Sequence, residues 1–179
     1  MTDRPPPPQT GAQVDFEAVF RSELGWVINT LRRYGVREAD VEDVAHDVFV
    51  TFHRRLADFD PTRSVRAWLG GIAYRVASDH RQRAHVRREL ADDTIEVRDS
   101  TPGADEALDR ERTRALVIDA LRDVQDERRP VLVLHDLDGL AMPEIAASLG
   151  LPLNTAYSRL RLARADFKKA IERRRGGAR

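Results

Sequence analysis

Apolar residues at Phe16, Phe20, Leu24, Val27, Leu31 and Tyr34 recur at intervals of three and four and predict an amphipathic helix that stops at Gly35. A second stripe is denser. In "DVEDVAHDVFVTFHRRL", Val41, Val44, Ala45, Val48, Phe49, Phe52 and Leu56 fall on one face, and Glu42, Asp43, His46, Asp47 and Arg54 fall opposite. "DFDPTRS" interrupts the pattern, because Pro61 disfavours helical backbone at the residue before it. Ser64 is placed to cap a third helix with the stripe Val65, Trp68, Leu69, Ile72, Ala73 and Val76. Three such helices make a small bundle over residues 14–85.

Periodicity then lapses over residues 86–107, where Asp, Glu, Thr, Pro and Gly gather, and this stretch is predicted to be a flexible acidic linker. It resumes with Leu116, Val117, Ala120, Leu121 and Val124, followed by "PVLVLHDLDGL" with Pro130 suited to a first turn. Strand-like alternation does not persist anywhere. The expected fold is all-α: two small helical domains, 14–85 and 108–173, with the second a four-helix unit. A Pro-rich, disordered tail precedes them at 1–13 and a basic tail follows at 174–179.

Composition refines this picture at three points. The chain has 179 residues, 41% hydrophobic and 34% charged, and no cysteine, which removes disulfides, thiolate metal ligands and a thiol nucleophile together. No apolar run approaches the roughly 18 residues of a membrane span, and the N-terminus lacks an apolar signal core. A cytoplasmic protein without a membrane partner is expected. The formal net charge of +0 is an average over opposed blocks. Residues 75–88 hold five arginines against Asp79, residues 89–111 nine acids against Arg98 and Arg110, and residues 159–179 nine Lys/Arg against Asp166 and Glu172. Two basic segments about an acidic one suit two modules that meet a polyanion and a spacer that avoids it, although solvated helical faces carry such blocks too.

The chemistry concentrates in "MPEIAASLGLPLNTAYSRLRLAR". Pro143 fits the first turn of a short helix burying Ile145, Ala146 and Leu149, and Gly150 stands where a left-handed residue ends it. Leu151 plugs the turn, and Asn154 or Thr155 is predicted to cap a second helix burying Ala156, Leu160 and Ala163. This is the helix-turn-helix arrangement. Its second helix turns Asn154, Thr155, Tyr157, Ser158, Arg159, Arg161 and Arg164 outward, with polar residues near its start to face base edges and arginines to hold phosphates.

Together with "ADVEDVAHDVFVTFHRRLADFDPTRSVRAWLGGIAYRVASDHRQR", that segment resembles the extracytoplasmic-function sigma factors of bacterial RNA polymerase, over residues 15–85 and 110–173. The resemblance implies a non-catalytic promoter-specificity subunit without cofactor or metal. Its partners would be promoter DNA and core polymerase, met at the β′ clamp helices and the β flap. A cognate anti-sigma protein is the further partner the family suggests. By the same resemblance, Asp43, His46 and Asp47 would meet the clamp helices, with His46 standing where the family commonly has Gln. "FDPTRSVRAW" is similar to the loop that holds a flipped base of the minus-ten element. Thr62, Arg63 and Ser64 would supply polar contacts there, and Arg66, Arg75, Arg81 and Arg83 would follow phosphates; Arg75 replaces the family's usual Asn. Trp68 has two readings, a stacking platform or a core residue at helical spacing. The second helix of the helix-turn-helix would read the minus-thirty-five element, with Tyr157, Ser158 and Arg161 at base or groove positions and Thr155 and Arg159 anchoring phosphates. Ala141 replaces the Ser or Thr that usually caps the preceding helix, which weakens that cap.

Two other functions fit parts of the sequence. A helix-turn-helix regulator acting without core polymerase would account for residues 110–173 but not for the acidic helix in front. A metalloenzyme would use Asp40, Asp43, His46 and Asp47 as a ligand face, yet His53, His80, His85 and His135 follow no recognisable ligand spacing.

Overall fold

The computed structural model describes residues 14–91 and 105–176, and every regular element within them is helical. The elements are α1 (Phe16–Arg33), α2 (Val41–Arg54), α3 (Val65–Ala91), α4 (Asp105–Arg122), α5 (Arg129–Leu132), α6 (Met142–Leu149) and α7 (Leu153–Gly176). A π turn, Val133–Leu137, extends α5. Asp15 caps α1 by accepting from the Glu17 amide at 3.0 Å, and Gly35 leaves the helix at φ +86°, a backbone that L side chains rarely adopt.

The first three helices pack by the stripes their sequences show. Val27, Leu31 and Tyr34 of α1, Val44, Val48 and Phe52 of α2, and Leu69, Ile72 and Ala73 of α3 are all buried. Aromatic rings close one end of this bundle: Phe20 meets Phe49 with centroids 4.8 Å apart, and Phe52 meets Trp68 at 5.3 Å. Trp68 is thus a packing residue, held between Phe52 and Phe59.

In the second half, α7 packs against α4, α5 and α6. Pro130 and Pro143 occupy first turns of α5 and α6. Gly150 ends α6 in the left-handed region at φ 69°, and the Leu151 amide returns to the Ala146 carbonyl at 2.8 Å. Ala141 supplies no side-chain cap to α6. One boundary differs from expectation. Helix α7 starts at Leu153, and the Ala156 amide donates to the Pro152 carbonyl at 3.0 Å, so Asn154 and Thr155 lie inside the first turn and neither is the cap. Pro152, at fixed φ, has brought helical backbone forward by about a residue.

The segment expected to be a linker is also shorter than its composition suggests. Residues 86–91 continue α3 and residues 105–107 begin α4, because "RRELA" and "DEALD" are good helix formers even without an apolar stripe. Its middle, 92–104, lies outside the described residues, as do the 1–13 tail and residues 177–179 of the basic tail.

The two halves touch. Helix α6 lies along α3, and α4 meets α1. Arg33 Nη1 reaches Asp138 Oδ1 at 2.6 Å, and Arg114 Nη2 donates to Asn29 Oδ1 at 2.6 Å. Arg129, only 6% exposed, donates to the Tyr34 carbonyl at 2.9 Å, and Arg81 donates to the same oxygen. That carbonyl belongs to the last turn of α1, where helical partners run out, so guanidiniums from both halves complete it.

Candidate polymerase and nucleic-acid interfaces

Helix α2 sets the first surface. Its apolar stripe is turned to the core, so Asp43, His46 and Asp47 stand exposed on the opposite face. None of the three makes an ion pair or side-chain hydrogen bond among the described residues. Asp40 does not share this face: it faces His80 Nε2 at 3.2 Å and Arg37 Nε at 2.8 Å. Burial works to raise the Asp40 pKa, but hydrogen bonds from Arg37 and His80 outweigh it and hold the carboxyl below its usual range. Among the described residues no group of three or more His, Asp or Glu could hold a metal ion.

The second surface is the turn before α3 together with that helix. Asp60 organises the turn, accepting from the Thr62 amide at 3.0 Å and the Thr62 hydroxyl at 2.7 Å, with Arg63 Nε 3.4 Å from its other oxygen. These bonds, led by the Thr62 hydroxyl, depress the Asp60 pKa. The Ser64 hydroxyl caps α3 by accepting from the Ala67 amide at 3.2 Å. Arg66 lies back on α1, 2.7 Å from Glu23 and over the Trp26 ring. Arg75 donates to the Ser148 carbonyl at 2.8 Å, across the two halves, and burial lowers its pKa with help from Arg55.

Arg81 departs most from a phosphate-tracking role. It reaches Tyr34 and, at 3.4 Å, Asp126, which places it at the seam between the halves. Charge pattern alone cannot separate a groove arginine from a seam arginine. Among the described residues Arg83 has only its own helix as partner, the Asp79 carbonyl at 3.2 Å, and it is exposed. The turn and α3 therefore bring Arg63, Ser64 and Arg75 to one cleft, while Thr62, Arg66, Arg81 and Arg83 do not line it.

The third surface is the outer face of α7. Asn154, Tyr157, Ser158 and Arg161 are exposed, with Tyr157 52% so, and none is engaged by another described side chain. Thr155 is half-buried. The flanking arginines are held by acids of the same half: Arg164 makes a two-pronged pair with Asp136 at 2.8 and 2.7 Å, and Arg159 meets Glu127 at 3.2 Å. The Asp136 bond raises the Arg164 pKa and lowers that of Asp136, each favouring its charged form.

Sequence reasoning missed the residues that join the halves: Arg129, Asp138, Glu144 and the Gly70–Gly71 pair. The pair was the one available signal, because two adjacent glycines inside a helix cost it stability and require a reason.

Both halves of the chain match families of known proteins. Residues 19–87 match the family described as Sigma-70 region 2, and residues 114–167 that described as Sigma-70, region 4. The chain is 32% identical over 149 residues to the RNA polymerase sigma factor CnrH of Cupriavidus metallidurans, covering 79% of this chain and 78% of that one. It is 28% identical over 173 residues to the ECF RNA polymerase sigma-E factor of Escherichia coli, covering 92% and 90%. Among solved structures, CnrH in complex with the cytosolic domain of CnrY is similar at a TM-score of 0.61 and 29% identity, covering 91% of each chain. The sigma factor RpoE in complex with the anti-sigma factor NepR, from Bartonella quintana, has a TM-score of 0.67 at 19% identity, covering 88% and 97%, a likeness of fold.

Proposed function

From a chain that belongs to the extracytoplasmic-function sigma factors, the promoter-recognition subunits of bacterial RNA polymerase, we propose a division of labour among the three surfaces. Asp43, His46 and Asp47 on α2 dock core polymerase. The 59–64 turn and the start of α3 hold the melted minus-ten strand, with Thr62, Arg63, Ser64 and Arg75 as its contacts. Tyr157, Ser158 and Arg161 on α7 read the minus-thirty-five duplex, and Asn154, Thr155, Arg159 and Arg164 hold its backbone. Residues 14–85 and 108–173 act as the two modules, joined so that binding of one raises the effective concentration of the other. The subunit is non-catalytic and works in the cytoplasm; among the described residues no helix is long and apolar enough to cross a membrane.

One observation carries this reading. On a surface laced with ion pairs, the outer face of α2 and the outer face of α7 present polar and charged groups without a partner among the described residues. Unpartnered groups of this kind suit an external one. An anti-sigma protein is the further partner we propose, on the likeness to CnrH, whose structure was solved in complex with the cytosolic domain of CnrY.

Run-off transcription with core polymerase on a promoter library tests the assignment, and the enriched templates report both elements. Retained DNA binding with no core-dependent transcript would favour a helix-turn-helix regulator that acts alone.

The two α7 arginines separate reading from anchoring. Arg161 is exposed and has no ion pair among the described residues, whereas Arg159 already holds Glu127. Arg161→Ala is expected to relax sequence preference in the upstream element. Arg159→Ala is expected to weaken all sequences alike and reduce the slope of affinity against salt by about one. Competition binding against scrambled duplex at several salt concentrations checks both, and equal losses on specific and scrambled DNA for Arg161→Ala would remove it from base reading.

A further inference from the structure

Between residues 159 and 174, α7 carries five arginines, and four of them are paired with acids of the preceding segment, 123–136. Glu127 takes Arg159, Asp136 takes Arg164, and Asp123 takes both Arg173 and Arg174. Of the five, Arg161 is the one without an ion pair among the described residues, and it lies on the outer face with Tyr157 and Ser158. The pair at Asp136 is the most closely built. Its two oxygens meet Arg164 Nε at 2.8 Å and Nη2 at 2.7 Å, the fork in which a guanidinium and a carboxylate fit best. His135 Nδ1 stands 2.8 Å from the same carboxylate. The backbone beneath is fixed as well. Asp136 lies in the π turn after α5, where the Gly139 amide donates to the His135 carbonyl at 3.1 Å and the Leu140 amide to the Leu134 carbonyl at 2.9 Å. Buried Val133 and Leu134 anchor that turn in the core, and π turns of this kind recur at functional positions. Arg164 follows Tyr157 and Arg161 along one face of α7, so its held guanidinium stands one turn beyond Arg161. Its Nη1 has no hydrogen-bond partner among the described residues and points to a role outside the pair.

We propose that Asp136 is a positioning residue that sets how strictly α7 reads the upstream element: it presets Arg164 for one phosphate and cancels the charge with which a mobile arginine would hold any duplex. This rests on reading α7 as the helix that enters the major groove. Phosphate contacts fix the register of such a helix and carry no sequence information themselves. An arginine that swings freely makes them in every register, and so strengthens right and wrong sequences alike. Clamped by Asp136, Arg164 loses little further freedom when α7 sits in its one correct register. Out of register, a phosphate meets the carboxylate as closely as the guanidinium. Glu127 acts on Arg159 in the same sense and more weakly, because it is 76% exposed and offers one carboxylate contact at 3.2 Å.

The full-length protein without core polymerase is titrated against a fluorescein-labelled duplex library randomised across the upstream element, and the bound fraction is sequenced. The ratio of best to mean affinity measures strictness, and a salt series on the unselected library measures the nonspecific part. Asp136→Asn keeps the shape of the side chain and removes its charge. It is expected to raise affinity for the unselected library about threefold, to steepen its salt slope by about one, and to lower the ratio about fivefold. Asp136→Glu is expected to bring back the shallower slope. In an Arg164→Ala background, Asp136→Asn is expected to leave the ratio unchanged, because it acts through Arg164. Equal gains on best and mean sequences overturn the proposal, since the acid would then only tune net charge. Equal losses with a lowered thermal midpoint overturn it too, and make Asp136 a brace of the fold. A ratio that still falls in the Arg164→Ala background overturns it by showing another route. These three results leave the reading of α7 standing. A parent protein without sequence preference, or an Arg164→Ala variant that binds the library as the parent does, overturns that reading and the proposal with it.

Discussion

Asp43→Arg combined with Asp47→Arg is expected to abolish binding to core polymerase while the protein keeps its helical content and its affinity for duplex DNA. Both carboxylates project from α2 opposite Val44, Val48 and Phe52, and neither is tied into an ion pair, so reversing them removes no internal contact. The one intrinsic cost is at Asp43, which lies in the first turn of α2. A cation at a helix N-terminus costs about 0.3–1 kcal/mol, too little to unfold a bundle with this buried stripe. Against a basic docking partner the double reversal turns two attractions into two repulsions, and like-charge juxtaposition at an interface costs several kcal/mol. Circular dichroism establishes that the variant is folded, and titration with core polymerase measures the loss. Core affinity within about threefold of the parent, ~0.65 kcal/mol, would move the docking surface off this face. Asp43→Asn with Asp47→Asn should give an intermediate loss, since it removes the attraction without adding repulsion.

The largest effect on stability is expected at Arg129. Its guanidinium donates to the Leu121 carbonyl at 2.8 Å, the Val124 carbonyl at 2.9 Å, the Arg122 carbonyl at 3.1 Å and the Tyr34 carbonyl at 2.9 Å, and it pairs with Asp126 at 2.9 Å. Burial pulls its pKa down and Asp126 opposes that shift, but a guanidinium stays charged at any working pH. Three of the four carbonyls close the end of α4, whose helical partners have run out, and the fourth closes α1. In Arg129→Ala the Tyr34 carbonyl keeps Arg81 and the Leu121 carbonyl keeps the Val124 amide at 3.1 Å, but the Arg122 and Val124 carbonyls lose the guanidinium, and each unsatisfied buried acceptor costs about 1–3 kcal/mol. Because partners relax and water enters, a total of about 3–5 kcal/mol is the reasonable expectation, the range for breaking a buried charged cluster from one side. For a chain of this size that lowers the thermal midpoint by roughly 6–20 °C. Arg129→Lys should recover little, since a point charge cannot reach four acceptors in a fork. Thermal unfolding followed by circular dichroism decides it, and a shift under about 2 °C would mean that solvent serves these carbonyls equally well.

What could be read in the sequence follows from what leaves a periodic trace. The α2 stripe is regular because α2 buries one face against one core, and Val41, Val44, Ala45, Val48, Phe49 and Phe52 are all buried. Gly150 and Pro143 declared the turn and the helix start because their backbone constraints are local. The second face of α3, the seat on which Leu134 and Ser148 rest at Gly70 and Gly71, left no such trace. It is built of glycines and an alanine, which carry little hydrophobic signal, and its cover comes from residues far along the chain. For the same reason Arg75 and Arg81 looked like free cations in a basic block, when one faces Ser148 and the other Tyr34 and Asp126. Arg129 was hidden in "ERRPVL" as one charge among several, since nothing local distinguishes a buried arginine from exposed Glu127 or half-buried Arg128. The exposure of the residues proposed as contacts on α2 and α7 was legible because an exposed polar face is the complement of a buried stripe.

The glycine seat also bears on how the chain is made. Gly71 leaves the ribosome well before Ser148, and at roughly 5–20 residues per second the interval between them is about 4–15 s. Through that time α1, α2 and the start of α3 can pack on one another, but nothing has yet been synthesised to cover Ala67, Gly70 and Gly71. A seat lined with leucine or phenylalanine would then be an adhesive patch on a nascent chain. Glycine leaves mainly backbone there, already satisfied within the helix, so the bare surface presents little for another nascent chain to grip.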